Sequence, residues 1–143
     1  MDEQEQRSKV VEVAVRYLGT PYRHMGRSTG GMDCVHLPLE AFEQAGITPH
    51  RVIDYYPEDW AMHNADPRYV REMEAFGMRK VGREPKPGDM AMFTWGLCIS
   101  HGALVVEWPR IIHAYKPAKA VVYGNATKGA LAKRFAGIWS YWE

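Results

Sequence analysis

The chain has 143 residues, a formal net charge of +1, 46% hydrophobic residues and 24% charged residues. That composition supports one globular core and one domain spanning residues 1–143. The near-balanced charge, with no basic run interleaved with aromatics, speaks against nucleic acid as a partner, and no apolar run is long enough to span a membrane.

The first residues, Met1-Asp2-Glu3-Gln4-Glu5-Gln6, are acidic and polar, without the basic and apolar regions of a secretory signal. Synthesis in the cytoplasm is therefore expected, with action elsewhere after release or as part of a larger particle. The two cysteines, Cys34 and Cys98, are expected as free thiols.

Val10, Val13, Ala14, Tyr17 and Leu18 recur at three- and four-residue steps, which predicts a helix over about 3–18 closed by Gly19. The glycine-rich stretch from Gly19 to Asp33 reads as a loop. A second helix is expected from about Cys34 to Ala45, with Asp33 as N-cap, Gly46 as its stop and a first turn disturbed by Pro38. Residues 47–65 form a polar and aromatic connection. Asp66-Pro67 then opens a third helix, carrying Tyr69, Val70, Met73 and Phe76 and ending at Gly77. Beyond Met78 the pattern becomes strand-like, with apolar runs at 90–93, 99–106, 110–115, 120–123 and 136–141 separated by turn residues. Helices followed by an antiparallel sheet make an α+β fold.

A cysteine is a nucleophile as its thiolate, and a helix N-terminus favours that negative charge. Cys34 has this position, and the N–H groups of the same turn, including that of Val35, are candidate oxyanion donors. From the residues alone Cys34 reads equally well as a small buried side chain beneath a glycine loop. Six histidines are candidate bases. His101 opens an apolar strand and His113 lies in the next one. A hairpin centred near Glu107 or Trp108 sets them opposite or nearly opposite, so one can orient the other. Taken singly, His113 reads as a half-buried strand histidine. His36, two residues after Cys34, lies roughly 200° round a helix and should face elsewhere. His50 and His63 fall in the connection and should face water. Metal-binding spacings such as His-x3-His or Cys-x2-Cys are missing, so a metal site around Cys34 and His36 is the weaker rival and no cofactor is expected. Cys98 reads as core packing or a loop thiol.

Taken together, Leu18-Gly19-Thr20-Pro21-Tyr22, Gly31-Met32-Asp33-Cys34, Lys86-Pro87-Gly88-Asp89-Met90, Ser100-His101-Gly102 and Ile112-His113-Ala114 resemble the NlpC family of papain-like cell-wall cysteine peptidases. The resemblance runs from about Val10 to the C-terminus and is greatest to a single-domain branch found in phages and prophages. It implies a papain-like α+β domain, with N-terminal helices packed on an antiparallel sheet, that hydrolyses amide bonds in peptidoglycan stem peptides, commonly between γ-D-glutamate and a diamino acid. By position it implies Cys34 as nucleophile, His101 as base, His113 as the orienting third residue, Tyr22, Asp33 and Val35 as the group around the nucleophile for oxyanion or substrate, and Asp33 as a local cap as well. The usual Asp-Cys-Ser-Gly-Leu is here Asp33-Cys34-Val35-His36-Leu37, and Pro38 stands where an aliphatic residue is usual. These departures bear on substrate preference more than on reaction type. Two other readings follow: a weakly active or inactive structural component of a phage-tail-like particle, and, less favoured, a thiol acyltransferase or amidase with a small non-wall substrate.

Overall fold

Asp2 starts the first helix by accepting the Glu5 N–H at 2.8 Å, and α1 runs over Glu3–Val15 in the computed structural model, which describes residues 1–143. The chain leaves α1 through turns to Gly19, whose φ of +86° only glycine adopts without strain, so the regular helix is shorter than the apolar spacing suggests. The glycine loop is more ordered than expected. It holds a small hairpin, β1 (Arg27–Ser28) with β2 (Gly31–Met32), in the register Arg27 to Met32. Its backbones pack so closely that a Cβ on Gly26 would lie 2.7 Å from the Gly31 carbonyl carbon. These glycines serve contact as well as turning, which composition alone does not distinguish.

Helix α2 is regular over His36–Gln44, later than the expected start at Cys34. Asp33 still performs the capping: its backbone oxygen accepts the Leu37 N–H at 3.2 Å and its carboxylate accepts the His36 N–H at 2.9 Å. The 47–65 connection contains a one-turn helix, α3 (Trp60–His63). Helix α4 (Arg68–Phe76) begins one residue beyond Pro67 and ends at Gly77, with φ of +121°.

Six strands form one antiparallel sheet: β3 (Arg79–Val81), β4 (Met90–Trp95), β5 (Cys98–Glu107), β6 (Arg110–Tyr115), β7 (Ala120–Asn125) and β8 (Phe135–Ser140). Their order is β3-β8-β4-β5-β6-β7, so the last strand inserts beside the first two. A 3-10 turn (Lys116–Ala118) and a short helix α5 (Gly129–Arg134), neither of them expected, connect the later strands. Met90 and Met92 face the core beneath α1, α2 and α4, while Ala91 and Phe93 face a smaller core with Ile111 and Leu131. That alternation is the two-residue period of a strand buried on both faces. No helix is long and apolar enough to cross a membrane.

Two features of this frame aim the site. Phe93 pairs with His101 but Thr94 pairs with Ile99, so Ser100 is an extra residue bulged out of β5 just before His101. The hairpin from β5 to β6 pairs Leu104 with Ile112, which makes His101 and His113 diagonal neighbours on one face.

Candidate active site

Cys34 lies in the turn entering α2, and its Sγ is 4.0 Å from the carbonyl oxygen of the bulged Ser100. The bulge thus brings the mouth of β5 onto the thiol. His101 Nε2 and His113 Nδ1 are 2.8 Å apart, and both rings are buried. With its Nε2 engaged, the remaining ring nitrogen of His101 is Nδ1. Aromatic rings hold the pair in place: His113 stacks on Tyr115 with centroids 4.4 Å apart and planes 12° apart, and Trp95 meets His101 edge-on at 5.7 Å. Cys34 and His101 open onto a cleft of about 590 Å³, with Tyr22, Val35, Tyr56 and Trp60 among its walls. The structure therefore brings Tyr22, Cys34, Val35 and His101 to one cleft, with His113 behind His101.

Asp33 faces away from the cleft. It is fully buried, its Oδ2 accepts the Met25 N–H at 2.7 Å, and its Oδ1 is 2.8 Å from His36 Nδ1. One carboxylate thereby ties the glycine loop to the helix start. His36, expected to point elsewhere, curls back as this carboxylate's partner and takes no place in the cleft. His50 and His63 lie at the surface against Glu43 and Asp59. Cys98 is buried 3.6 Å from the Asp66 carbonyl oxygen, and both cysteines are free.

The electrostatics differ from the simple helix-start expectation. Burial pushes the Cys34 thiol well up and neighbouring Asp33 adds to it, while the backbone N–H groups of Cys34 and Gly102 pull the other way. A helix terminus contributes about 0.3–1 kcal/mol to an adjacent charge, whereas an unpaired buried ion costs several. Desolvation wins, so the resting thiol is protonated. Burial, then the neighbouring His113, pushes His101 well down, and burial takes His113 down to about 4. Tyr22 stays a phenol, because burial raises it most and the nearby Asp33 and Glu58 carboxylates add to that.

This carries a stability prediction. An unfolded histidine takes up its proton near ~6.5. Folded His113 refuses it until about pH 4, so between those values the unfolded chain holds more protons. Stability is full above about pH 6.5 and is lost as pH falls toward 4, by about 3 kcal/mol for His113 alone. Urea titrations between pH 7.5 and 4 should show this loss, and His113→Asn should shrink it; equal slopes in both proteins would contradict it.

Some residues of the site lie outside the sequence reading. Tyr69, from α4, donates its hydroxyl to the Cys34 carbonyl at 2.8 Å. Nothing local marks it, because the two residues are 35 apart in the chain. Tyr115 was accessible in principle: it follows His113 by two residues in a strand and so shares its face.

The NlpC/P60 family profile matches residues 19–140. The chain belongs to the NlpC/P60 family. A probable endopeptidase of Mycobacterium tuberculosis is 47% identical over 45 residues, a stretch covering 31% of this chain and 12% of that protein. This NlpC/P60 chain therefore matches only a small part of that relative's length. The NlpC/p60 domain of the peptidoglycan hydrolase SagA superposes with a TM-score of 0.64 at 22% identity, covering 94% of this chain and 97% of that one. RipD of Mycobacterium tuberculosis, a non-catalytic NlpC/p60 domain protein adapted to peptidoglycan binding, superposes at 0.59 with 15% identity, covering 94% and 95%. At such identities the likeness establishes the fold, which is the α+β, papain-like arrangement expected from the sequence.

Proposed function

We propose that this NlpC/P60 domain is a cysteine peptidase that hydrolyses amide bonds in peptidoglycan stem peptides, at the bond between γ-D-glutamate and a diamino acid. Cys34 is the nucleophile, His101 the general base and His113 the residue that orients it. The observation carrying this reading is the 2.8 Å His101–His113 contact beside a cysteine on the same cleft.

The useful proton arrangement has His101 Nε2–H donating to His113 Nδ1, which leaves the Nδ1 lone pair of His101 for the thiol proton. As that proton moves from Sγ to Nδ1, sulfur attacks the amide carbonyl carbon. The oxyanion is met by the N–H groups of Cys34 and Val35 and by the Tyr22 hydroxyl. His101 then passes its proton to the departing amine nitrogen as the C–N bond breaks, leaving a thioester. Water attacks the thioester, His101 accepts its proton, and the thiol is restored as the acid leaves. A protonated resting thiol suits this sequence, because thiolate and imidazolium form together and stabilise one another when the substrate is bound.

The reading is tested with the tripeptide L-Ala-γ-D-Glu-meso-diaminopimelate. Release of the diamino acid by the native protein, and its loss in a folded Cys34→Ala variant, are the expected results; release by Cys34→Ala would sink it. A second reading, a binding or structural component with weak or no activity, for example within a phage-tail-like particle, is favoured by the altered segment Val35-His36-Leu37-Pro38 directly after Cys34. It predicts retention on peptidoglycan without release of any product.

A further inference from the structure

Pro38 stands four residues after Cys34. In a helix the N–H at that position closes the hydrogen bond to the carbonyl of Cys34, and proline has no N–H. The preceding bond in the series is intact, with Leu37 N–H reaching the Asp33 oxygen at 3.2 Å. The next one cannot form, so the carbonyl of Cys34 loses its helical partner. A buried carbonyl without a donor is costly, and here Tyr69 supplies one, its Oη lying 2.8 Å from that oxygen.

Tyr69 reaches this place because Gly102 has no side chain. A Cβ on Gly102 would fall 2.4 Å from the Tyr69 hydroxyl oxygen, so only glycine beside His101 lets the phenol through. The Tyr69 side chain thus packs between the backbone of Cys34 on one side and that of Gly102, next to His101, on the other. It comes from α4, the helix that follows the long connection, whose upstream residues Tyr56 and Trp60 wall the cleft.

We infer that Tyr69 is a positioning residue: its hydroxyl replaces the hydrogen bond that Pro38 denies to the Cys34 carbonyl, and so sets the nucleophile against His101. Pro38 and Tyr69 are then one device. The proline frees the carbonyl, and the tyrosine uses it to lock the entry of α2 to α4. The inference builds on the proposed roles of Cys34 and His101.

The test is a double-mutant cycle of Tyr69→Phe and Pro38→Ala in a Cys98→Ala background. It reads the pH profile of Cys34 alkylation by iodoacetamide together with kcat and KM for the tripeptide above. Phenylalanine keeps the ring and removes only the donor. Tyr69→Phe is expected to lower kcat about tenfold with KM unchanged, and to shift the alkylation profile, because small misplacements of a reacting group are costly. Pro38→Ala alone should change little. Combined with Tyr69→Phe it returns an N–H to the carbonyl and should bring kcat and the profile back to within about threefold of the parent. A tyrosine that merely filled space would lower the melting temperature and leave alkylation unmoved. An unchanged profile in Tyr69→Phe, or an effect of Tyr69→Phe that is the same with and without Pro38, overturns the inference. If the parent releases no diamino acid, the peptidase reading fails, and the alkylation cycle still decides the role of Tyr69.

Discussion

His101→Ala is expected to lower kcat/KM on the tripeptide by about three orders of magnitude, the scale of a lost general base. The structure makes a sharper statement through His113. If His113 serves to accept the Nε2–H of His101, then the residue it is replaced by matters more than the loss of the imidazole. Asparagine offers a carbonyl oxygen in a similar place, and Cys-His-Asn is a working arrangement in papain-like enzymes. His113→Asn should therefore lose only about tenfold, while His113→Leu, with no acceptor, should approach the loss of His101→Ala. Equal losses for Asn and Leu would mean that His113 acts through packing on Tyr115, whose ring lies 4.4 Å away, rather than through its nitrogen. The Cys34→Ala and His101→Ala effects should also fail to add, because a base has no function without its nucleophile. A steady-state assay of the single and double variants, with folding checked by circular dichroism, reads all of these.

The parts of the fold that the sequence announces are those governed by local rules. Gly77 ends α4, and the start and stop of the sheet strands follow short apolar runs between turn residues. The site is legible in part for the same reason: a cysteine after a capping aspartate and two histidines in adjacent strands are local signals. What stays hidden depends on distant partners. The Ser100 bulge that re-aims His101 arises from pairing with β4, and no feature of residues 98–102 alone announces it. The thiol's environment is hidden for the same reason: a helix start is visible in sequence, and burial beneath Ser100 and Gly102 is not. Pro38 is the instructive case. By local rules it is a flaw in the first turn, whereas its compensation sits at Tyr69, in another helix.

Asp89→Ala is expected to destabilise the fold by about 3–5 kcal/mol, more than any surface ion pair in the molecule contributes. Asp89 is fully buried at the head of β4, in the turn Lys86-Pro87-Gly88-Asp89. Its carboxylate accepts Arg7 Nη1 at 2.8 Å, Arg83 Nη1 at 2.7 Å and the Lys86 N–H at 2.9 Å. Burial would raise its carboxyl, but the hydrogen bonds from Arg83, Arg7 and Lys86 outweigh this and hold it below the usual carboxylate range. Arg7 belongs to α1, bonds the Pro87 oxygen at 2.9 Å and lies 4.4 Å over the Trp142 ring. A single buried carboxylate thus joins the first helix, the turn before β4 and the C-terminal tryptophan. Removing it leaves the buried Nη1 end of Arg7 without its carboxylate, with only the half-exposed Glu3 still on Nε, and stranding a buried charge in this way is the costly half of breaking such a pair. Glu3, which meets the same Arg7 at 2.9 Å but from the surface, provides the control, and Glu3→Gln should cost less than about 1 kcal/mol. The two acid-sensitive features also separate by pH. The histidine contribution disappears between about pH 6.5 and 4, whereas a carboxyl held low stabilises above its unfolded value near ~3.9 and loses that contribution only as pH falls further. Urea unfolding at pH 7.5 and 4.5 should therefore find the Asp89→Ala deficit nearly unchanged while the His113 contribution falls away. A deficit at pH 7.5 no larger than that of Glu3→Gln would show that α1 is held to the sheet by its apolar face alone.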